Sequence, residues 1–210
     1  FHGHGGNGRN AARSFNLHGE WPEAIALYPS GLPTATGRDP EGLKPGWGYG
    51  ADNRDIAFFD SLLAQVIAKE KGDPGKVFVM GHSNGGGFAY GLWRWRGEKL
   101  AGVAPSAAAP AAKSFENAKP LPAFLMMGQK DAVVSFESQR ASLLNVLQVN
   151  LGKGVSDLTK PDFERQIRGS VIKGWKGLER TGVYEHPGGH QFPSAAVRAM
   201  VQFFKNPGIP

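Results

Sequence analysis

Residues 77–87 read Val77-Phe78-Val79-Met80-Gly81-His82-Ser83-Asn84-Gly85-Gly86-Gly87 and pass into Phe88-Ala89-Tyr90-Gly91-Leu92-Trp93. Four consecutive apolar residues suit a strand buried on both faces, and Phe88 to Trp95 suits a helix. The order is therefore strand, tight turn, helix. In that order Gly81-x-Ser83-x-Gly85 matches the G-x-S-x-G nucleophile elbow, a sharp turn that holds a serine hydroxyl above the edge of a sheet. Glycines beside the serine let the turn close without side-chain collision. The chain has 30 glycines, enough for the bare pattern to arise by chance, so the flanking strand and helix are what distinguish it.

Outward from that turn, strands and helices alternate. Asn10 to Trp21 can form a short helix, and Ala24-Ile25-Ala26-Leu27-Tyr28, closed by Pro29-Ser30-Gly31, suits a buried strand. Residues 32–50 read as loop. Asp52 can cap a helix whose apolar positions Ile56, Phe59, Leu62, Leu63, Val66 and Ile67 recur every three to four residues, giving one buried face. After the elbow come apolar strands over Leu100 to Ala104 and Pro122 to Met127, then a helix from Ser135 to Val149. A last strand spans Gly182 to Glu185 and a last helix Ser194 to Phe204. The polar stretch from Leu151 to Arg180 gives no clear pattern; a lid over a cleft and a surface excursion both fit it. Alternation of this kind predicts a single α/β domain over residues 1–210, with a mostly parallel sheet and right-handed crossovers.

A serine hydroxyl needs a general base, which in this arrangement follows an acid in the chain order Ser, Asp, His. Asp131 closes Gly128-Gln129-Lys130-Asp131, just past an apolar strand, on the edge where active sites of open α/β sheets gather. It can also be read as a turn or cap aspartate. Asp157 and Asp162 are rivals without a buried strand before them. Only His186 and His190 follow Asp131. His190 lies in the loop Pro187-Gly188-Gly189-His190, from which it can reach over the sheet, whereas His186 sits close to the strand and is the second candidate.

The opening His2-Gly3-His4-Gly5-Gly6 is similar to the HGGG-type oxyanion loop of esterases, where glycines let backbone N–H groups approach a negative oxygen. The backbone amides of His4 and Asn84 are the expected donors. The same residues can be read as a frayed glycine-rich terminus or, from the His-x-His spacing, as a metal site, but no third ligand lies nearby in sequence and no metal is expected. Trp47, Tyr49 and Phe192 are candidate walls of an acyl or alcohol pocket and equally candidate lids over the core.

Composition narrows the alternatives. Without Cys there are no disulfides and no thiolate chemistry. No apolar run approaches the ~20 residues of a membrane helix. The net charge of +6 is scattered, its densest group being Trp93-Arg94-Trp95-Arg96. Neither a membrane nor a nucleic-acid partner is expected. The sequence opens at Phe1 with no initiator Met and no signal-like segment.

Taken together, His2 to Asn7, Asp55-Ile56-Ala57-Phe58-Phe59, Gly81-His82-Ser83-Asn84-Gly85-Gly86, Gly128-x-x-Asp131 and Gly188-Gly189-His190-x-x-Pro193 resemble the feruloyl esterase and poly(3-hydroxybutyrate) depolymerase group of carbohydrate esterase family 1. The resemblance implies an α/β-hydrolase fold and a secreted or periplasmic enzyme that hydrolyses esters without a cofactor. Feruloyl or related aryl esters of plant polysaccharide are the expected substrate, and hydroxyalkanoate polyesters the alternative. Relatives carry strands before the oxyanion loop, so these either precede Phe1 or are missing from the sheet. Many also have a cysteine in that loop and a tryptophan after the histidine, where this chain has His4 and Gln191-Phe192. A non-catalytic binding module on the same fold is the rival of a different class.

Overall fold

Successive strand residues point to opposite faces of a sheet, and two separate apolar cores follow from that alternation. Val79, Val103, Leu125, Met127 and Val183 face one core, while Met80, Ala104, Phe124, Met126 and Tyr184 face the other. A computed structural model describes residues 1–110, 115–152, 155, 158 and 160–206. Its main sheet has six strands: β3 (Phe78–His82), β4 (Gly102–Ser106), β5 (Ala123–Gly128), β6 (Phe163–Ile167), β7 (Ser170–Trp175) and β8 (Thr181–His186), in the order β3-β4-β5-β8-β7-β6. Strands β3, β4, β5 and β8 run parallel, and β7 and β6 add an antiparallel edge. β1 (Leu32–Pro33) and β2 (Pro45–Gly46) form a small separate ladder in the residue 32–50 segment that the sequence reads as loop.

Helices α3 (Arg54–Glu70), α4 (Asn84–Arg96) and α5 (Phe136–Leu151) belong to the first face, and α1 (Gly8–Phe15) and α6 (Ala196–Lys205) to the second. β3, β4 and β5 each connect onward to the next parallel strand, so the carboxyl ends of β3, β4, β5 and β8 share one edge. Their register sets His82 opposite Ser106, Ser106 opposite Met126 and Gly128 opposite His186. This is the α/β-hydrolase architecture, a mostly parallel sheet flanked by helices.

Several expectations are corrected. The helix expected over Asn10 to Trp21 breaks at Asn16, which adopts the left-handed conformation at φ 47° that asparagine tolerates, leaving α2 (Leu17–Glu20) as a separate turn. Asn53, not Asp52, caps α3 by accepting the Asp55 N–H. Ala24 to Tyr28 forms no strand. Ile25 and Leu27 are exposed at 49% and 44%, and this run lines an apolar groove of about 720 Å³ beside β3 instead of pairing with it. Leu62, Leu63, Val66 and Ile67 of α3 line the same groove and are only half-buried, so the buried face of that helix is confined to its first turns. On the outer side of β3, Phe1 makes a parallel pairing: its nitrogen donates to Met80 C=O (2.7 Å) and its carbonyl accepts from His82 N–H (3.1 Å). The segment from Leu151 to Arg180 contains the β6–β7 hairpin. Arg168 and Gly169 turn it with positive φ of 49° and 80°, the pairing that a tight two-residue hairpin turn requires.

Candidate active site

Ser83 sits at φ 56°, ψ −119°, a conformation that costs energy for any residue with a β-carbon and persists only where the surroundings impose it. Here they do. Ser83 N–H donates to Ser106 C=O (2.8 Å) at the end of β4, and Gly87 N–H donates to Ser83 C=O (2.9 Å) in the first turn of α4. A β-carbon on Gly81 would lie 2.0 Å from Gly85 C=O, and one on Gly85 would lie 2.2 Å from Phe1 C=O. Both motif glycines are therefore required by close backbone approach.

Three loops at the carboxyl edge bring the expected residues together. His190 Nε2 is 2.8 Å from Ser83 Oγ, and His190 Nδ1 is 2.8 Å from Asp131 Oδ2. A carboxylate can only accept, so Nδ1 carries the proton and Nε2 is free to accept from the serine hydroxyl. Asp131 is fixed on its other side by Val133 N–H (2.8 Å) and Val134 N–H (2.9 Å) to Oδ1, while Gln139 Nε2–H donates to Oδ2 at 3.1 Å. Burial pushes the Asp131 carboxyl up, but the hydrogen bonds from His190, Val134 and Val133 outweigh it and hold the group below the ordinary aspartate value. The carboxylate thus stays ionised beside the imidazole.

The loop bearing His190 is seated on the end of β5. Gln129 N–H donates to His186 C=O (2.9 Å) and Lys130 N–H to Gly188 C=O (2.9 Å). A β-carbon on Gly128 would lie 2.3 Å from Gly189 C=O, so only glycine lets the two segments meet. The rivals lie elsewhere. His186 is buried, and its Nδ1 accepts from Gly188 N–H (3.2 Å) within the turn, so it braces the loop. Asp162 accepts from Lys176 N–H (2.7 Å) at the hairpin edge. Asp157 lies outside the described residues.

The glycine-rich opening lies against the elbow, with the β-carbon position of Gly3 3.4 Å from Ser83 Cβ. His4 N–H has no acceptor among the described residues, and Asn84 opens α4, where helix N–H groups lack partners within the helix. The His4 side chain is directed to Asp39, with Nε2 3.1 Å from Oδ2, and its buried Nδ1 has no partner among the described residues. No group of three or more His, Cys, Asp or Glu side chains suited to a metal occurs among the described residues. The Asn84 side chain clamps the segment after β2: Oδ1 accepts from Trp47 N–H (2.7 Å), and Nδ2 donates to Trp47 C=O (3.0 Å) and Tyr49 Oη (3.1 Å).

A cleft of about 330 Å³ opens beside Ser83, lined among others by His4, Tyr49, Asn84, Trp95, Val133 and Val134. Tyr49 is a wall of it, as the sequence allowed. Trp47 is not: it is 1% exposed, stacks on Phe88 and donates its indole N–H to His2 C=O (3.0 Å), so it is a core residue under the glycine-rich opening loop. Phe192 also points elsewhere, packing on Phe15 of α1 with ring centroids 4.3 Å apart and edge-on to His82. His82, Ser106, Gln139 and Asp39, which the motifs do not mark, complete the surroundings of the site. His82 precedes the serine within Gly81-His82-Ser83, and that adjacency is its one sequence signal; the other three carry none.

No protein-family model matches the chain, and no curated protein sequence matches it. Solved structures do. Arabidopsis thaliana SOBER1 superposes with a TM-score of 0.65 at 19% identity over 97% of this chain and 94% of its own. The Bacillus cereus carboxylesterase matches with a TM-score of 0.63 at 16% identity over 97% and 84%. Acetyl xylan esterase from Aspergillus awamori matches with a TM-score of 0.63 at 11% identity over 96% and 86%. At these identities the likeness is one of fold.

Proposed function

We propose that this chain is a serine ester hydrolase working through an acyl-enzyme. The observation that carries the reading is the unbroken hydrogen-bonded chain from Ser83 Oγ through both nitrogens of His190 to Asp131, at the mouth of a cleft. His190 Nε2 takes the Ser83 proton as Oγ bonds to the ester carbonyl carbon. The carbonyl oxygen becomes negative and meets the N–H groups of His4 and Asn84. Collapse breaks the bond to the alkoxy oxygen, which leaves as the alcohol with the proton from His190. Water then adds to the acyl carbon, giving a proton to His190, and the acid departs as Ser83 recovers its own. Throughout, Asp131 remains ionised and stabilises the imidazolium.

Within this class we favour feruloyl or similar aryl esters of plant polysaccharide. The motif resemblance and the aromatic lining by Tyr49 and Trp95 support that choice. A secreted or periplasmic location belongs to the same reading. The test is the initial rate on p-nitrophenyl butyrate and methyl ferulate for the chain and its Ser83→Ala variant. Turnover of both, abolished by the substitution, is expected. Clearing of a poly(3-hydroxybutyrate) suspension without release of ferulate would replace the aryl preference with a polyester one. Absence of any turnover would favour a binding module on this fold.

A further inference from the structure

The cleft beside Ser83 is lined by Arg38 and Arg94, and no aspartate or glutamate lines it among the described residues. The guanidinium of Arg94 lies 4.4 Å from the ring centre of Trp95, whose indole N–H is tied to Tyr49 C=O at 2.9 Å. Arg94 has no carboxylate or carbonyl partner among the described residues. Arg38 donates one N–H to Val133 C=O (2.9 Å) across the cleft mouth and has no carboxylate partner among the described residues. Two carboxylates of this region are already committed: Asp39 to His4, Leu43 and Lys44, and Asp131 to His190 and the turn behind it.

A solvated arginine on a surface is ordinary. Here two line the cleft that holds the candidate nucleophile, one of them set against an aromatic ring, and neither has a carboxylate partner among the described residues. A planar guanidinium fork placed in this way is suited to recognising a carboxylate. The spacing limits where that carboxylate can lie. Arg94 is three helical turns beyond Ser83, about 16 Å along α4 at ~1.5 Å per residue. Helical side chains lean back toward the amino end, so the guanidinium falls roughly 10 Å from the serine. Between them Gly87 and Gly91 keep the floor low, with Tyr49 lying over both: their β-carbon positions are 3.2 Å and 2.8 Å from Tyr49 atoms.

We propose that the ester this site accepts carries a carboxylate, bound by Arg94 with help from Arg38, on the order of 10 Å from the scissile carbonyl. A uronic-acid-bearing polysaccharide ester and a long-chain diacid monoester share this chemistry. The inference rests on the esterase reading. It is tested with two pairs of probes. The mono-p-nitrophenyl ester of sebacic acid beside its terminal amide places the charge on the acyl side. The acetate ester of ω-hydroxydecanoate beside its amide places it on the alcohol side.

In one pair the anionic member should show kcat/KM about 10-fold above its neutral partner, the worth of a charge-assisted hydrogen bond. That ratio should fall to near unity in Arg94→Gln and shrink as ionic strength rises. The pair that shows it identifies the side. Ratios near or below unity in both pairs, with all probes turned over, overturn this inference and leave the esterase reading intact. No turnover of any probe overturns both.

Discussion

His82 Nε2–H donates to the backbone carbonyl of His190, 3.0 Å away, so the residue before the candidate nucleophile holds the loop carrying the candidate base. Ser106 Oγ lies 3.1 Å from His82 Nδ1, the position from which its hydroxyl can donate and fix the ring tautomer. Burial foremost, and then the neighbouring His190, lowers the His82 pKa to about 4, which keeps the ring neutral beside the imidazolium that the reaction forms. We expect His82→Phe, which keeps a ring but removes the donor, to lower kcat about tenfold with little change in KM, the effect of losing one such hydrogen bond. His82→Gln, which retains an N–H donor, should recover part of that loss. Steady-state kinetics on p-nitrophenyl butyrate check it, and an unchanged kcat in His82→Phe would show that the loop needs no such support.

The same burial ties stability to pH. Because the folded pKa of His82 lies below the unfolded value of ~6.5, the unfolded chain takes up the proton first as pH falls. Its neutral ring costs nothing above pH ~6.5, and stability is lost progressively from there down to about 4. His2 and His186, also lowered mainly by burial, act in the same direction, so the variant comparison isolates His82. Urea unfolding at about pH 7 and about pH 5 should show a larger drop in the parent chain than in His82→Gln, by roughly 1–2 kcal/mol. Equal drops in both would contradict the assignment.

Gly128→Ala tests whether the close approach of β5 to the His190 loop sets the site. The new methyl group would meet Gly189 C=O at 2.3 Å, a distance that backbone cannot accommodate without moving. A 1 Å misplacement of a reacting group costs about 100-fold in rate, so a loss of that order is expected in kcat. A variant with parental kcat and an unchanged melting temperature would place the loop's anchor elsewhere.

Asp131→Asn retains the shape of the side chain but can donate to His190 Nδ1, which favours the tautomer in which Nε2 cannot accept the serine proton. We expect kcat to fall by about 10³- to 10⁴-fold. Because the carboxyl is held below the ordinary aspartate value, its protonation should not limit activity at pH 5 and above, at about one unit beyond the unperturbed ~3.9. A pH–rate profile of the parent chain checks this; a limb that disappears in Asp131→Asn at mildly acidic pH would contradict it.

The elbow and the edge that carries the site were legible because each depends on local pattern: four apolar residues before Gly81, glycines at closed approaches, and an acid and a histidine just past strand ends. What was not legible depends on tertiary partners. Ala24 to Tyr28 has the composition of a buried strand, but pairing is a property of a neighbour, and these residues line a groove instead. Trp47 reads as a loop aromatic in sequence, yet the Asn84 clamp and the Phe88 stack draw it into the core. The β6 strand, Phe163-Glu164-Arg165-Gln166-Ile167, has apolar residues only at its ends and no alternation between them, so nothing separates it from a polar loop. Gln139 lies a full turn inside α5, and nothing in the sequence ties it to Asp131.

The most direct test is labelling with a fluorophosphonate probe followed by peptide mass spectrometry. The account predicts a single stoichiometric adduct on the peptide containing Gly81-His82-Ser83-Asn84, absent in Ser83→Ala and much slowed in His190→Ala. An adduct on another residue, or none on the folded parent chain, would contradict Ser83 as the nucleophile.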